Sequence, residues 1–218
     1  MAEVNLLAAL PRTKRDAHNR AQAKDPRVIE ISRQYGEMYF DGPREYGYGG
    51  YYYDGRWLPV ARDIVAHFGL KAGMHVLDVG CAKGFLVKDL MEVRPGLEAF
   101  GIDVSEYALT RRPPEVAGRL CGGDCLNLPF PNASFDAVLS INTIHNLERP
   151  GVVRALQEMM RVARGGRAFV QVDSYHTPKQ RALFLDWVLT AQFHDYPQGW
   201  LQVFEEAGYT GDWAWTLV

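Results

Sequence analysis

The sequence contains few cysteines and no long hydrophobic run. Only three of its 218 residues are cysteine, an odd number in a chain long enough to bury a full core without disulfides. No stretch approaches the roughly 18 uninterrupted apolar residues that suggest a membrane-spanning helix. The amino-terminal stretch MAEVNLLAALPRTKRD places its apolar residues ahead of its basic ones, the reverse of a secretory signal peptide. We therefore expect a cytoplasmic protein with no membrane partner.

The sequence also lacks an excess of either charge. It has 24 Lys and Arg against 26 Asp and Glu, so no general polyanion-binding surface and no nucleic-acid partner are expected. Residues 12–27 form the one basic stretch, with six Lys or Arg, and we interpret it as the solvated face of a helix. Residues 1–25 are polar and weakly patterned, which predicts a mobile arm or a loosely docked helix. The remaining composition is that of a soluble globular domain.

The chain is organised around residues 74–84, MHVLDVGCAKG. A brief apolar run bounded by glycines is typical of a central parallel strand, and the pattern that follows has helical spacing. In open α/β sheets ligands bind beyond the carboxyl ends of the strands, so a binding site is expected at this turn. The spacing Asp78-x-Gly80-x-Ala82-x-Gly84 replaces one glycine of the dinucleotide fingerprint. No Gly-Lys-Ser/Thr ending of a phosphate loop follows it.

The rest of the pattern alternates strands and helices. Apolar runs predict further strands over residues 99–103, 119–122, 135–141, 168–172 and 212–217, and helical spacing predicts helices over 57–68, 85–94, 151–163, 179–191 and 200–207. This alternation indicates an α/β fold, a single-domain, Rossmann-like, doubly wound and mostly parallel sheet of six or seven strands flanked by helices. Asp103 ends the second strand about 20 residues beyond Gly84, the distance at which an acidic residue reaches a ribose diol.

The segment Phe40 to Trp57, FDGPREYGYGGYYYDGRW, is neither helix nor ordinary strand. Its five tyrosines and five glycines predict a loop that carries aromatic rings on a pliable backbone. Two interpretations remain open: a lid over a ligand, or a packing loop whose tyrosines cover the rim of the core. We assign residues 1–55 to an amino-terminal arm with this lid segment and residues 56–218 to the main domain.

The later motifs make a family resemblance specific. Asp124, the run LPFPNASFDAV and a strand that ends at Asn142 follow the glycine turn, and together they resemble the motif series of small-molecule class I S-adenosylmethionine-dependent methyltransferases. The resemblance covers roughly residues 56–173. It departs from the family at the end of the chain, where only one strand's worth of residues follows Gly208, so the seventh strand of the family's sheet is in doubt.

The resemblance implies S-adenosyl-L-methionine as the cofactor and assigns roles to single residues. The residue that matches Asp103 binds the ribose hydroxyls, the one that matches Asp124 faces the adenine amino group, and the turn from Gly80 to Gly84 lines the methionine portion. The full implied cofactor-binding set is Asp78, Gly80, Cys81, Gly84, Asp103, Val104, Asp124, Cys125 and Asn142.

The expected reaction is methyl transfer to a small-molecule acceptor, with O- or N-methylation favoured over C-methylation. His145 follows the fourth strand and is the candidate general base, with packing at a helix start as the alternative. The candidate acceptor-binding residues are Tyr48, Tyr51, Tyr53, Arg56 and His176. Two rival functions stay open: a nucleic-acid or protein methyltransferase, and a non-catalytic nucleotide-binding Rossmann domain. No metal site is expected, because no ligand pair of suitable spacing accompanies the cysteines.

Overall fold

The computed structural model describes residues 1–11, 20–22 and 24–217. Its six strands are β1 (His75–Val79), β2 (Glu98–Asp103), β3 (Leu120–Gly122), β4 (Ala137–Ile141), β5 (Ala168–Ser174) and β6 (Asp212–Leu217). Its helices are α1 (Pro26–Ser32), α2 (Glu37–Phe40), α3 (Trp57–Phe68), α4 (Phe85–Val93), α5 (Glu106–Thr110), α6 (Arg149–Val162), α7 (Pro178–Trp187) and α8 (Pro197–Ala207). Most of the basic stretch 12–27 lies outside the described residues, so its interpretation stays a prediction.

The six strands form one sheet in the order β3-β2-β1-β4-β5-β6, and every neighbouring pair is parallel. The predicted doubly wound α/β fold is thereby confirmed. Chain order reverses between β1 and β4, so the loops that leave these two strands diverge and open a crevice at their carboxyl ends. β6 pairs directly with β5, from Phe169 opposite Asp212 to Ser174 opposite Leu217, and no antiparallel strand lies between them in the described part of the chain.

Helices cover both faces of the sheet, and the sequence explains where they lie. Helix α3 buries its apolar positions at helical spacing and ends at Gly69, whose φ of 57° is left-handed. It packs beside α4 against one face, while α6 and α8 cover the other. Helix α7 begins at a Thr177 capping box and ends at Trp187, four residues before the predicted end, because Val188 is extended.

The amino-terminal residues are docked on the sheet. Leu6 and Leu7 are 5% and 6% exposed and join the core that α3 builds. Val4 N–H donates to the Trp213 carbonyl at 2.8 Å, and Trp213 N–H donates to the Ala2 carbonyl at 3.0 Å, so residues 2–4 run along the outer edge of β6. The expectation of a mobile or loosely docked arm is wrong for residues 1–11, because their leucines bury apolar surface. The division at residue 55 stays a prediction.

Candidate active site

The turn after β1 requires glycine at two positions. Gly80 and Gly84 have φ values of 83° and 76°, in the left-handed region that glycine adopts without a steric penalty. A Cβ on Gly80 would collide with the Thr143 side chain, and one on Gly84 would lie 2.7 Å from Leu120 Cδ1. Glycine therefore lets the loop after β4 and the strand β3 approach this turn closely. Ala82, between them, also has a positive φ of 50°.

The backbone N–H groups of this turn are used within the protein. Gly80 and Cys81 both donate to the Ile102 carbonyl, at 2.8 and 3.2 Å, and Gly84 donates to the Cys81 carbonyl at 2.8 Å. Ala82 donates to Asp103 Oδ2 at 2.7 Å. The turn thus fixes the end of β1 to the end of β2, and these four N–H groups are not available to cradle a phosphate.

Two carboxyl groups lie at the ends of the two strands. Asp103 accepts the N–H groups of Ala82 and Ser105 at 2.7 and 2.8 Å, and burial raises its pKa despite these bonds. A carboxylate offers about four lone-pair directions, so the backbone N–H groups of Ala82, Ser105 and Val104 do not use all of those on Asp103. Burial and, to a lesser degree, the neighbouring Asp103 raise the pKa of Asp78 to about 7.

A cavity of about 1600 Å³ opens at the carboxyl ends of the strands. All but one of the predicted cofactor-binding residues line it: Asp78, Gly80, Cys81, Asp103, Val104, Asp124, Cys125 and Asn142. The exception is Gly84, which instead caps α4. The fold therefore brings together residues that span 65 positions of the sequence, but their roles toward a cofactor stay predictions. Burial, with a smaller contribution from Asp124, raises the pKa of Cys125 to about 12, which keeps that thiol neutral.

The tyrosine-rich segment is tied to the glycine turn by a buried ion pair. Lys83 is 4% exposed, and its Nζ donates to both Asp41 carboxylate oxygens at 2.7 Å and to the Tyr51 carbonyl at 2.9 Å. Asp41 also accepts the Tyr51 N–H and the Tyr107 hydroxyl, at 3.1 and 2.8 Å. Burial opposes ionisation of Asp41, but the bond from Lys83 and the other bonds outweigh it and lower the pKa.

The predicted acceptor-binding residues fall into two groups. Tyr48 and Tyr51 line the cavity with ring centroids 4.5 Å apart, and Arg56 lies at its rim, paired with Asp54. Tyr53 and His176 do not line it. The Tyr53 hydroxyl instead donates to the buried Asp89 at 2.7 Å, and His176 is exposed at the start of α7.

His145 is buried and lines the cavity, in contact with the end of β5. Its Nδ1 accepts the backbone N–H of Asp173 at 3.0 Å, and its Nε2 lies 3.5 Å from Asp173 Oδ2. In the neutral ring this hydrogen bond places the proton on Nε2, so the lone pair that a general base would use is already engaged. The base role of His145 stays a prediction, and it requires this contact to change.

Several cavity residues were not singled out from the sequence. Arg20, Trp187 and Asp173 line the cavity, as do Asn146 and Gln171. The Asn146 Oδ1 and Gln171 Oε1 atoms are buried with no hydrogen-bond partner among the described residues. One signal existed in the sequence. Gln171 interrupts the apolar run of β5 as Asp78 interrupts that of β1, and a polar residue in a buried strand commonly marks a site.

Comparisons with known proteins agree with the fold. The sequence profile of a family described as "Methyltransferase domain" matches residues 77–170. Demethylmenaquinone methyltransferase from Symbiobacterium thermophilum is 31% identical over 55% of this chain and 50% of its own length. Fatty-acid O-methyltransferase from Mycolicibacterium smegmatis is 35% identical over 51% of this chain and 42% of its own. The chain thus spans about half the length of the first curated relatives it matches.

Solved structures share the architecture. The YcgJ protein from Bacillus subtilis superimposes with a TM-score of 0.56 at 17% identity, over 71% of this chain and 68% of that one. An identity this low supports the fold alone. No helix in the described ranges is both long and apolar enough to cross a membrane. The motif series, the sheet topology and the family profile over residues 77–170 together support a class I S-adenosylmethionine-dependent methyltransferase domain in this chain.

Proposed function

We propose that this chain binds S-adenosyl-L-methionine and transfers its methyl group to a small-molecule acceptor. The observation that carries the proposal is the Asp103 carboxylate, which backbone N–H groups hold at the end of β2 and which lines the cavity. When bound, the cofactor supplies a methyl group made electrophilic by its sulfonium sulfur. The protein's own tasks are then to bind, align and exclude water.

The residues present fit this cofactor. Asp103 would accept the two ribose hydroxyls, and Val104, which is 61% exposed at the cavity, offers an apolar surface to the adenine ring. Asp124 lies at the same cavity, at the end of the next strand, where it would accept the adenine amino group. The Gly80 turn allows close approach of the methionine portion, and Asp78 would pair with its ammonium group.

The glycine turn argues against a dinucleotide. A pyrophosphate is held in a Rossmann fold by unused backbone N–H groups at the helix start. Here the N–H groups of Gly80, Cys81, Ala82 and Gly84 already donate within the protein. The non-catalytic, nucleotide-binding alternative therefore has less support than methyl transfer.

We infer a small acceptor methylated on oxygen or nitrogen. Tyr48 and Tyr51 line part of the cavity, whose volume of about 1600 Å³ is large enough to hold the cofactor and a metabolite together. A relative named as a fatty-acid O-methyltransferase supports an oxygen acceptor. Asp173, at the end of β5, is the polar group that would handle the acceptor's proton, and His145 would join it once its contact with the Asp173 N–H is broken.

Calorimetry with S-adenosylmethionine, S-adenosylhomocysteine and NAD⁺ tests the binding half of this proposal. We expect the first two ligands to bind and NAD⁺ not to bind. Replacing Asp103 by alanine should weaken binding at least tenfold to a hundredfold, since the loss of even one charge-assisted hydrogen bond costs about 1.5–3 kcal/mol. Asp136→Ala is the matched control, because Asp136 pairs with Arg164 near the opposite ends of the strands.

The transfer half is tested with methyl-labelled cofactor and fractionated cell metabolites. Mass spectrometry should find the label in a small molecule and not in protein or RNA fractions. Label that enters only the macromolecular fractions would contradict the small-acceptor assignment, and NAD⁺ binding without S-adenosylmethionine binding would support the rival function.

A further inference from the structure

Arg20 stands out among the buried charges of the molecule. It is 9% exposed, and its described neighbours include no carboxylate. Lys83, by comparison, is buried against Asp41. Arg20 Nη2 donates instead to the carbonyl oxygens of Arg44 and Gly47, at 2.7 and 3.2 Å. A nearby negative charge strongly stabilises a buried cation. An anion is therefore expected to bind beside the Arg20 guanidinium.

A second guanidinium lies beside it. The Cζ atoms of Arg20 and Arg44 are 4.2 and 5.3 Å from the centroid of the same Trp187 ring, and Arg44 Nη1 donates to the Gly47 carbonyl. Burial, with a further contribution from Arg44, lowers the pKa of Arg20 to about 10. Arg20 is therefore charged at neutral pH, at a free-energy cost that a bound anion would reduce.

Both arginines and Trp187 line the cavity that holds the glycine turn. An aromatic run connects the two regions: Phe85, at the start of α4, stacks on Tyr51 at 5.0 Å, and Tyr51 contacts Tyr48 at 4.5 Å. Apolar residues after and within α7 complete the lining near Trp187, namely Leu183, Val188 and Leu189. A cationic end and an apolar wall thus occur in one part of the cavity.

We propose that Arg20 and Arg44 bind an oxyanion on the methyl acceptor, a carboxylate or a phosphate monoester, while Trp187 and its apolar neighbours contact the rest of the molecule. The acceptor is then an amphipathic anion. The planar guanidinium offers paired N–H donors that match a carboxylate or phosphate edge. This assignment rests on the proposed function, because it concerns the acceptor part of the same cavity.

Calorimetry on the chain saturated with S-adenosylhomocysteine tests this proposal with three eight-carbon probes: octanoate, octanamide and monooctyl phosphate. Octanamide matches octanoate in shape but lacks the charge. We expect at least one oxyanion to bind about tenfold or more tightly than octanamide, because its hydrogen bonds to the guanidinium groups are charge-assisted and therefore stronger than neutral ones. The tighter of the two oxyanions identifies carboxylate or phosphate as the natural group.

Three variants assign the effect to these residues. Arg20→Met and Arg44→Met should each reduce the preference over octanamide at least fivefold, whereas Arg149→Met should keep it, since Arg149 is an exposed residue paired with Glu206. Unchanged affinity for S-adenosylhomocysteine shows that a variant is folded. If Arg20→Met does not fold, Arg44→Met and Arg20→Lys are used in its place to test the oxyanion preference. Lysine keeps the positive charge but lacks the paired N–H donors of arginine, so Arg20→Lys should also reduce the preference.

A wild-type preference below twofold, or a preference that persists in both methionine variants, would overturn the oxyanion site. The probes are also titrated into the chain without S-adenosylhomocysteine. An oxyanion preference there, in a chain that does not bind S-adenosylhomocysteine, would leave this site standing and overturn the proposed function alone.

Discussion

Asp78 and Asp103 show how two carboxyl groups in one cavity acquire different properties. Asp103 accepts backbone N–H bonds, which favour its charged form, whereas no described residue donates a hydrogen bond to the Asp78 side chain. Burial therefore dominates at Asp78 and raises its pKa to about 7. A cation beside Asp78 would restore its charge, so we expect cofactor binding and the ionisation of this group to be coupled.

The affinity for S-adenosylhomocysteine should depend on pH through Asp78. Below pH 7 its carboxyl group is mostly protonated, and pairing with the ligand's ammonium group requires loss of that proton. The dissociation constant should therefore rise as pH falls from about 7, approaching tenfold per unit, and level off above about 8. Calorimetry between pH 5.5 and 8.5 checks this, with Asp78→Asn as the pH-independent control. A wild-type constant that does not change over this range would contradict the coupling.

The raised pKa of Asp78 affects the stability of the ligand-free chain in the opposite direction: affinity should increase with pH, whereas stability should decrease. The folded state holds the Asp78 proton more firmly than the unfolded state does. Between about pH 4 and pH 7 the folded form therefore binds more protons, and this group's contribution to the free energy of unfolding decreases as pH rises.

The ring of His145 should carry its proton on Nε2 when neutral. The Asp173 N–H bond to Nδ1 fixes this tautomer. Two-bond ¹H–¹⁵N correlation spectra of ¹⁵N-histidine-labelled protein distinguish the two nitrogens directly, and His145→Gln identifies the resonance. A spectrum with the proton on Nδ1 would show that the ring turns toward the cavity in solution, which would restore His145 as a candidate base.

At the scale of elements, the segment between α2 and α3 is held in place from both sides. Lys83 joins it to the glycine turn through Asp41, and Tyr53 joins it to α4 through Asp89. Its Tyr48 and Tyr51 rings reach the cavity between these two attachments. Order in this segment and order in the glycine turn are thus expected to be coupled through Lys83.

Lys83→Met should loosen the segment and weaken cofactor binding together. Removing one partner of a buried ion pair costs about 3–5 kcal/mol when the other is left without compensation, and less here because Asp41 keeps two further bonds. Hydrogen exchange of residues 41–57 should accelerate in the variant. Adding S-adenosylhomocysteine to the wild type should slow it. Lys71→Met, an exposed position before β1, serves as control. Exchange that is the same in Lys83→Met and wild type would show that the segment is held by packing alone.

Most elements could be predicted from the sequence because short-range patterns determine them. The apolar spacing of α3 and the buried run of β1 each identify their own structure. Two long-range contacts could not be predicted from the sequence, because they join residues far apart in the chain. They are the Asp41–Lys83 pair, 42 positions apart, and the contact of Arg20 with Trp187, 167 positions apart. The end of α7 was missed because Val188 and Leu189 are apolar and fit either a helix or a cavity wall.

At the scale of the whole molecule, cofactor binding should stabilise the fold measurably. The cavity is built from the ends of β1, β2, β4, β5 and β6, so a ligand there contacts much of the sheet. A ligand at 100 times its dissociation constant adds about 2.7 kcal/mol, which corresponds to a rise in Tm of about 5–10 °C for a chain of this length. Differential scanning fluorimetry with S-adenosylhomocysteine checks this rise, with adenine alone as the weak-binding control. No rise at saturation would contradict binding to the folded state.

The pairing of residues 2–4 with β6 has a consequence for how the protein behaves in concentrated solution. An open sheet presents two edges at which the strands of other molecules can add, and such edges promote aggregation. One edge here is β3, which is only three residues long, and the other is covered where Ala2 and Val4 bond to Trp213. Within the described residues the unpaired part of each edge is therefore short, three residues at β3 and the part of β6 beyond Trp213, which disfavours strand addition at both ends.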